Sequence, residues 1–152
     1  MAHATEHFNH TEPNSQVLDV HLMNKRQIVL KGLKKSGKAL SAYELIDFCK
    51  DEFNLILHPM TVYRALDFFQ NEHLVHKLNS INKYIACTHT LGEHEHDIVQ
   101  FLICKKCEKI DEITIQKMTL DDLHHNVSDA GFHSDCSHLE MACICKSCHE
   151  KT

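Results

Sequence analysis

The chain has 152 residues, a hydrophobic fraction of 43% and a formal net charge of −5 at pH 7. No apolar run approaches the roughly 20 residues that a membrane helix needs, and no hydrophobic stretch near Met1 resembles a secretory signal. The eight cysteines are therefore expected to act as thiols in a reducing cytoplasm, where cysteines bind metals more often than they form disulfides.

The front of the chain is basic although the whole chain is acidic. Residues 1–15 are expected to form a flexible tail, followed by a short helical segment from Gln16 to Leu22 and a longer helix that Asn24 caps and Gly37 ends. Six basic residues and no acidic residue lie between positions 20 and 40: Lys25, Arg26, Lys31, Lys34, Lys35 and Lys38. This asymmetry indicates a nucleic-acid surface at the front of the chain.

Two more helices and a hairpin are predicted next. Ser41 and Glu44 have the spacing of a capping box, and Cys49 falls on the apolar face of the helix they begin, where we interpret it as a core residue. Pro59 suits the first turn of a third helix, and two β-like runs within residues 74–87 predict a hairpin. Three helices followed by a hairpin form the plan of a winged-helix DNA-binding domain, whose third helix enters the major groove.

The back half is predicted to be α+β. Residues 88–97 are polar, acidic and histidine-rich, which predicts a hinge between residues 16–87 and residues 98–152. The elements predicted after this hinge are strand 98–103, strand 110–115, helix 116–130 and strand 132–142.

Two C-x-x-C pairs follow predicted strands in this back half. They supply four thiolates, the number that a closed tetrahedral zinc site uses: Cys104, Cys107, Cys145 and Cys148. We interpret them as a structural zinc site, with a redox pair or disulfides as the alternative. A looser cluster in the last strand, Cys136, His138, His133 and Cys143, makes a third metal site a further hypothesis, against packing or a free thiol.

These motifs resemble those of the ferric uptake regulator family, and within it the members that sense zinc. The resemblance covers roughly residues 16–150 and depends on Ser41-Ala-Tyr-Glu-Leu45, Thr61-Val-Tyr-Arg-Ala-Leu-Asp-Phe68, Val75-His-Lys77, Tyr84-Ile-Ala-Cys87, Phe101-Leu-Ile-Cys-Lys-Lys-Cys107 and Cys145-Lys-Ser-Cys148. It implies a zinc-responsive transcriptional repressor: a homodimer, held by a C-terminal α/β dimerisation domain, that binds a pseudo-palindromic operator and represses zinc-uptake genes.

The resemblance also implies a regulatory zinc site between the two domains, with His76, Cys87, a hinge histidine and Glu112 as ligands. The family's hinge position corresponds to Asp97 here, so we predict that the neighbouring His96 supplies the ligand, with His94, His89 or Asp97 as alternatives. A thiolate in this set favours Zn²⁺ over Fe²⁺ or Mn²⁺.

On the DNA side, Tyr63 and Arg64 of the third helix are the candidates for base contacts, because an arginine can donate two hydrogen bonds to guanine. Five other residues are predicted to contact phosphates: Thr61, Tyr43, Lys25, Arg26 and Lys77. For Tyr63, partial burial against the apolar face is the alternative.

Three rival functions remain at this point. A family sibling that senses iron, manganese or peroxide is the nearest, and Cys87 argues against it. A zinc buffer or delivery protein would lack the basic front half. A zinc hydrolase or deaminase would need a complete catalytic motif, and His94-Glu-His96 is only a fragment of one, so we expect no enzyme activity.

Overall fold

The computed structural model describes residues 15–88 and 98–151, and the backbone alone for residues 15–24. The helices are α1 (Ser15–Ser36), α2 (Ala42–Phe53), α3 (Pro59–Asn71), α4 (Lys117–Asp129) and α5 (Lys146–Glu150). The strands are β1 (Val75–Leu78), β2 (Lys83–Ala86), β3 (Val99–Cys104), β4 (Ile110–Thr114) and β5 (His138–Cys143). In these described ranges, no helix is long and apolar enough to cross a membrane.

Helices α1, α2 and α3 pack around one apolar core. Its fully buried members include Val29 and Leu33 of α1, Leu45 of α2, and Val62 and Leu66 of α3. These residues recur at the spacing of a helix face, which is why the three segments are amphipathic helices that bury one side each. The predicted buried face of α3 is confirmed.

The predicted starts of α2 and α3 are confirmed. The Ser41 hydroxyl accepts a hydrogen bond from the Glu44 amide at 3.2 Å, and the Glu44 carboxylate accepts one from the Ser41 amide at 2.7 Å. Pro59 occupies the first turn of α3. The prediction that Asn24 begins a new helix is wrong, because α1 continues through it. An asparagine inside a helix costs only about 0.7 kcal/mol or less, so its capping preference does not break the helix.

Strands β1 and β2 form the predicted antiparallel hairpin, which we call the wing. An isolated β-bridge joins this wing to the segment before α2. The Leu40 amide donates to the Tyr84 carbonyl at 2.9 Å, and the Tyr84 amide donates to the Leu40 carbonyl at 2.8 Å. Three helices and an attached hairpin confirm the winged-helix plan of the front half.

The back half is a mixed three-stranded sheet in the order β4-β3-β5. Strand β4 is antiparallel to β3, β5 is parallel to β3, and α4 lies in the connection between β4 and β5. The predicted α+β class is therefore confirmed. The prediction that the last strand begins at Phe132 is wrong, because residues 132–137 lie outside β5 and Phe132 is exposed; the short α5 was not predicted.

A second apolar cluster joins the two halves. Ala39 and Leu78 from the front half pack with Val99, Phe101 and Ile103 of β3. Burial of these side chains holds the wing against one face of the sheet. Apart from Thr88, the predicted hinge lies outside the described residues.

Candidate metal centres and nucleic-acid interface

The two C-x-x-C pairs meet at one end of the mixed sheet. Cys104 is the last residue of β3 and is the register partner of Cys143, the last residue of β5. Because β3 and β5 are parallel, the chain leaves both strands at the same end of the sheet. The sulfur atoms of the four predicted cysteines lie within 4.8 Å of one another: Cys104, Cys107, Cys145 and Cys148. The Cys107 and Cys145 sulfurs are 3.6 Å apart. The structure therefore brings together a Cys₄ group with the ligand number of a structural zinc site.

Backbone hydrogen bonds shape the turn of each pair. The Glu108 amide donates to the Cys104 carbonyl at 3.0 Å, and Glu108 has a φ of 59°. The Cys148 amide donates to the Cys145 carbonyl at 3.0 Å. Each pair is thereby held in a tight turn, which lets two sulfurs separated by two residues approach one point.

The electrostatics of these thiols favour a bound cation. The Cys145 amide donates to Cys104 Sγ at 3.3 Å and, with the Cys107 and Lys106 amides, lowers the pKa of Cys104 to about 6. Close contact with Cys107 and Cys145 raises the pKa of Cys148 to about 12. Four adjacent thiolates repel one another, and a divalent cation removes that penalty. The donor set fits Zn²⁺.

A second group of ligating side chains joins the wing to the mixed sheet. His76 of β1, Cys87 just after β2 and Glu112 of β4 each place one ligand atom within 4.8 Å of the others. The Cys87 amide donates to the Leu74 carbonyl at 2.8 Å, which fixes the position of Cys87 at the end of the wing. Imidazole, thiolate and carboxylate together suit Zn²⁺. The fourth predicted ligand and its alternatives lie outside the described residues: His96, His94, His89 and Asp97.

The surroundings of this second group restrict its side chains. The Nε2 atom of His76 and the Oε1 atom of Glu112 are buried. The Thr88 hydroxyl donates to Glu112 Oε2 at 3.0 Å, and the His76 ring centroid lies 5.2 Å from that of Phe101 and 5.9 Å from that of His138. Such contacts orient ligands before a metal binds.

Sequence reasoning missed Glu140, which contacts the turn of the wing. Its two carboxylate oxygens accept hydrogen bonds from the Asn79 and Ser80 amides, at 2.7 and 2.8 Å. Partial burial raises the pKa of Glu140, but hydrogen bonds from Ser80, His138 and Asn79 outweigh it and hold the pKa below its usual value. The alternation of His138 and Glu140 along a strand was the available signal, since it places both on one face.

The third cluster is not assembled among the described residues. Within residues 15–88 and 98–151, three or more ligating side chains group only at the two places already described. Cys136 precedes β5, so the alternation expected from a strand does not relate it to His138. Its sulfur instead lies 3.3 Å from the Ser134 hydroxyl.

Helix α3 carries the predicted base-contacting residues at its surface. Arg64 is exposed, while Tyr63 is half-buried and packs against the helical core. Thr61 is half-buried one turn before Arg64, and Tyr43 of α2 is exposed. The partial burial that was the alternative for Tyr63 is thus observed, and its base contact stays a prediction.

Two of the basic residues predicted to contact phosphates, Arg26 and Lys77, lie over aromatic rings. The Arg26 guanidinium carbon lies 4.6 Å from the ring centroid of Phe68, and Lys77 Nζ lies 5.7 Å from that of Tyr84. Lys25 is half-buried on α1. Cation–π contacts of this kind hold long basic side chains in place while leaving their charge available.

Comparison with known proteins gives a consistent match. The model of the ferric uptake regulator family matches residues 18–142. The zinc uptake regulation proteins of Escherichia coli (strain K12) and Shigella flexneri are each 33% identical over 132 residues, which cover 87% of this chain and 75% of theirs.

Solved structures with the same fold include holo XcZur, at 33% identity and a TM-score of 0.68 over 83% of this chain and 84% of that one. They also include a zinc uptake regulator complexed with zinc and DNA, at 27% identity and a TM-score of 0.69 over 92% of this chain and 98% of that one. The family consists of transcription regulators and not of enzymes. With most of its length matched by the family model, the chain belongs to the ferric uptake regulator family.

Proposed function

We propose that this chain is a zinc-responsive transcriptional repressor whose zinc-bound homodimer binds a pseudo-palindromic operator and represses zinc-uptake genes. The observation that carries the proposal is the approach of His76 and Cys87, from the winged helix, to Glu112 of the mixed sheet. A site built from both halves of the chain can make the orientation of the winged helix depend on a metal.

The two ligand groups have different roles in this proposal. The Cys₄ group holds a structural ion, because all four ligands come from the back half and close the ends of β3 and β5. His76, Cys87 and Glu112, with His96 as the fourth ligand, form the regulatory site. A bound zinc ion supplies coordinate bonds across the junction, and the Cys87 thiolate selects Zn²⁺ over harder cations.

The regulation follows from linkage. Ligands that meet only when the wing lies against the sheet bind a metal more tightly in that arrangement, so metal binding shifts the population towards it. If that arrangement is also the one that binds DNA, DNA and zinc strengthen each other's binding by the same factor. The relative complexed with both zinc and DNA supports this reading.

Residues 16–87 would contact the operator, with Arg64 and Tyr63 at base edges and Thr61, Tyr43, Lys25, Arg26 and Lys77 at phosphates. The exposure of Arg64 near the start of α3 supports this assignment, because recognition helices read bases with their N-terminal residues.

Residues 98–152 would form the homodimer. The sheet face turned away from the wing carries Ile113 and Met141, which are 43% and 51% exposed, and Phe132 and Ile144 are exposed nearby in sequence. Strand β5 is also an edge of the sheet among the described residues. An apolar face beside a strand edge supports pairing with a second copy.

Fluorescence anisotropy tests the function. Full-length protein with its Cys₄ group loaded is titrated onto a candidate pseudo-palindromic operator, in the presence of zinc, Fe²⁺ or Mn²⁺ under anaerobic conditions. We expect zinc alone to switch on tight binding, and Cys87→Ser to abolish the switch while leaving the Cys₄ ion bound.

Cys136→Ser is the matched control, because this cysteine belongs to neither ligand group. Switching by Fe²⁺ or Mn²⁺ would instead indicate a sibling regulator. Absence of metal-dependent DNA binding would favour a zinc buffer or delivery protein.

A further inference from the structure

We propose that Glu140 is a positioning residue for the regulatory site: its carboxylate fastens the tip of the wing to the sheet and so holds His76 and Cys87 within reach of Glu112. The inference rests on the proposed function, and it assigns a role to a side chain that lies outside both ligand groups.

The contact itself is specific. Glu140 Oε1 accepts from the Asn79 amide at 2.7 Å, and Oε2 accepts from the Ser80 amide at 2.8 Å. Both amides belong to the turn between β1 and β2, about 60 residues earlier in the chain. Each carboxylate oxygen thus has its own backbone donor, and charge-assisted hydrogen bonds of this kind are about twice as strong as neutral ones.

The carboxylate is oriented from its own strand. His138 Nε2 lies 3.0 Å from Glu140 Oε1, and the two side chains are only 10% and 14% exposed. Glu140 is also the register partner of Phe101 in β3, whose ring lies 5.4 Å from that of His138. A half-exposed glutamate would sample many rotamers, whereas this one is held on the wing-facing side of the sheet.

The wing transmits this contact to the ligands. Asn79 directly follows β1, and β1 contains His76. The β1–β2 ladder pairs Val75 with Ala86, the residue before Cys87. Because the ladder makes the hairpin one hydrogen-bonded unit, fixing its turn restricts the positions of both ligands.

A further polar contact across the junction, from Lys83 of the wing to Glu108, is weaker. Lys83 Nζ lies 3.4 Å from Glu108 Oε2, and the Glu108 side chain is 74% exposed. Exposed ion pairs of this type contribute little to stability. Glu140, by contrast, is largely buried and accepts two hydrogen bonds from the turn, so it is better placed than Lys83 to select the arrangement in which the regulatory ligands meet.

The test compares Glu140→Gln with the wild type in full-length protein whose Cys₄ group is loaded. The glutamine has the same shape but one acceptor oxygen, so it leaves one turn amide without its bond.

We expect zinc binding to the regulatory site, measured by competition with a chelator, to weaken on the order of tenfold. Amide hydrogen exchange at Asn79 and Ser80, measured before regulatory zinc is added, should accelerate by a similar factor. Asp122→Asn, which removes one exposed charge from α4, should change neither quantity.

A second variant separates the length of the side chain from its charge. Glu140→Asp retains the charge but shortens the reach by one methylene, so it should also accelerate exchange at the two amides. Unchanged exchange in both variants, or faster exchange with unchanged zinc affinity, would overturn the inference alone. If Cys87→Ser keeps full zinc binding at the second site, the proposed function itself fails and the positioning role fails with it.

Discussion

Glu112 and Glu140 lie in one row of the mixed sheet, on either side of Phe101. Both are register partners of Phe101, Glu112 in β4 and Glu140 in β5, so their side chains leave the same face from Cα atoms about 10 Å apart. Glu112 lies close to His76 and Cys87, and Glu140 contacts the turn of the wing. The sheet thus faces the hairpin with two acidic side chains, one close to His76 and Cys87 and one hydrogen-bonded to the turn.

The Cys₄ group should determine whether the back half retains metal. Cys148→Ser removes one thiolate from a closed site, and we expect the variant to lose the chelator-resistant zinc and to unfold at a lower temperature. Zinc content after dialysis against a chelator and thermal unfolding measure both effects. Cys143→Ser, a cysteine outside the group, should retain its zinc; loss of zinc from both variants would contradict the assignment.

Cys87 should set the metal preference of the regulatory site. Cys87→Asp replaces a soft thiolate with a hard carboxylate, so we expect the zinc affinity to fall by tenfold or more while Mn²⁺ and Fe²⁺ gain relative to zinc. Competition titrations on protein with a loaded Cys₄ group give the three affinities. An unchanged order of preference would show that the thiolate is not a ligand.

Arg64 and Lys25 should affect DNA binding in different ways. Arg64→Ala should cost about 1–3 kcal/mol on the operator and relax the preference at one base position. Lys25→Ala should weaken binding similarly on all sequences and reduce the slope of log affinity against log salt by about 1. Anisotropy on single-base operator variants at several salt concentrations separates the two. Equal loss across all bases for Arg64→Ala would reassign it to a phosphate.

Gly32 marks a close approach of α1 to α2. A Cβ at this position would lie 2.7 Å from Cys49 Sγ and 3.4 Å from Leu45 Cδ1. We expect Gly32→Ala to destabilise the fold by about 1–3 kcal/mol despite the better helix propensity of alanine, because the core is overpacked. Denaturant unfolding measures the change, and adding Cys49→Ala should recover part of it. A more stable Gly32→Ala variant would show that the helices separate at little cost.

The capping box should give the fold a measurable pH dependence. The hydrogen bond from the Ser41 amide, opposed by slight desolvation and assisted by Lys83, lowers the pKa of Glu44. A lowered folded pKa means that the contribution to stability is present above the unfolded pKa and is lost as the pH falls through the folded value. We expect Glu44→Gln to make the free energy of unfolding less dependent on pH between the folded and the unfolded pKa of Glu44.

Ser41→Ala tests the same box at neutral pH, where it should cost about 1 kcal/mol. Unfolding by denaturant at pH 7 gives this value. A cost near zero would mean that solvent replaces the cap without loss.

Local patterns predicted the parts of the fold that depend on local forces. The cap at Ser41, the proline at the start of α3 and the core position of Cys49 follow from spacing and burial alone. The Cys₄ group was also predictable, because four ligands with two-residue spacers need only a shared end of the sheet.

Other features depend on contacts between distant segments. Strand β5 begins at His138 because its register is set by pairing with Val99 of β3, which no local pattern reports. The alternation of His138 and Glu140 could place both on one face of a strand, but the partners of Glu140 are the amides of Asn79 and Ser80, and backbone groups leave no signature in the side-chain sequence.

The paired hydrogen bonds between Leu40 and Tyr84 would couple metal binding at the wing to the orientation of the helices. They tie the wing to the start of α2, so the hairpin cannot tilt without carrying the helices with it. Any change in the wing's position on the sheet is then also a change in the direction of α3. Metal binding at the second ligand group and reorientation of α3 would then occur together. Titration with zinc should show both as one transition with one midpoint.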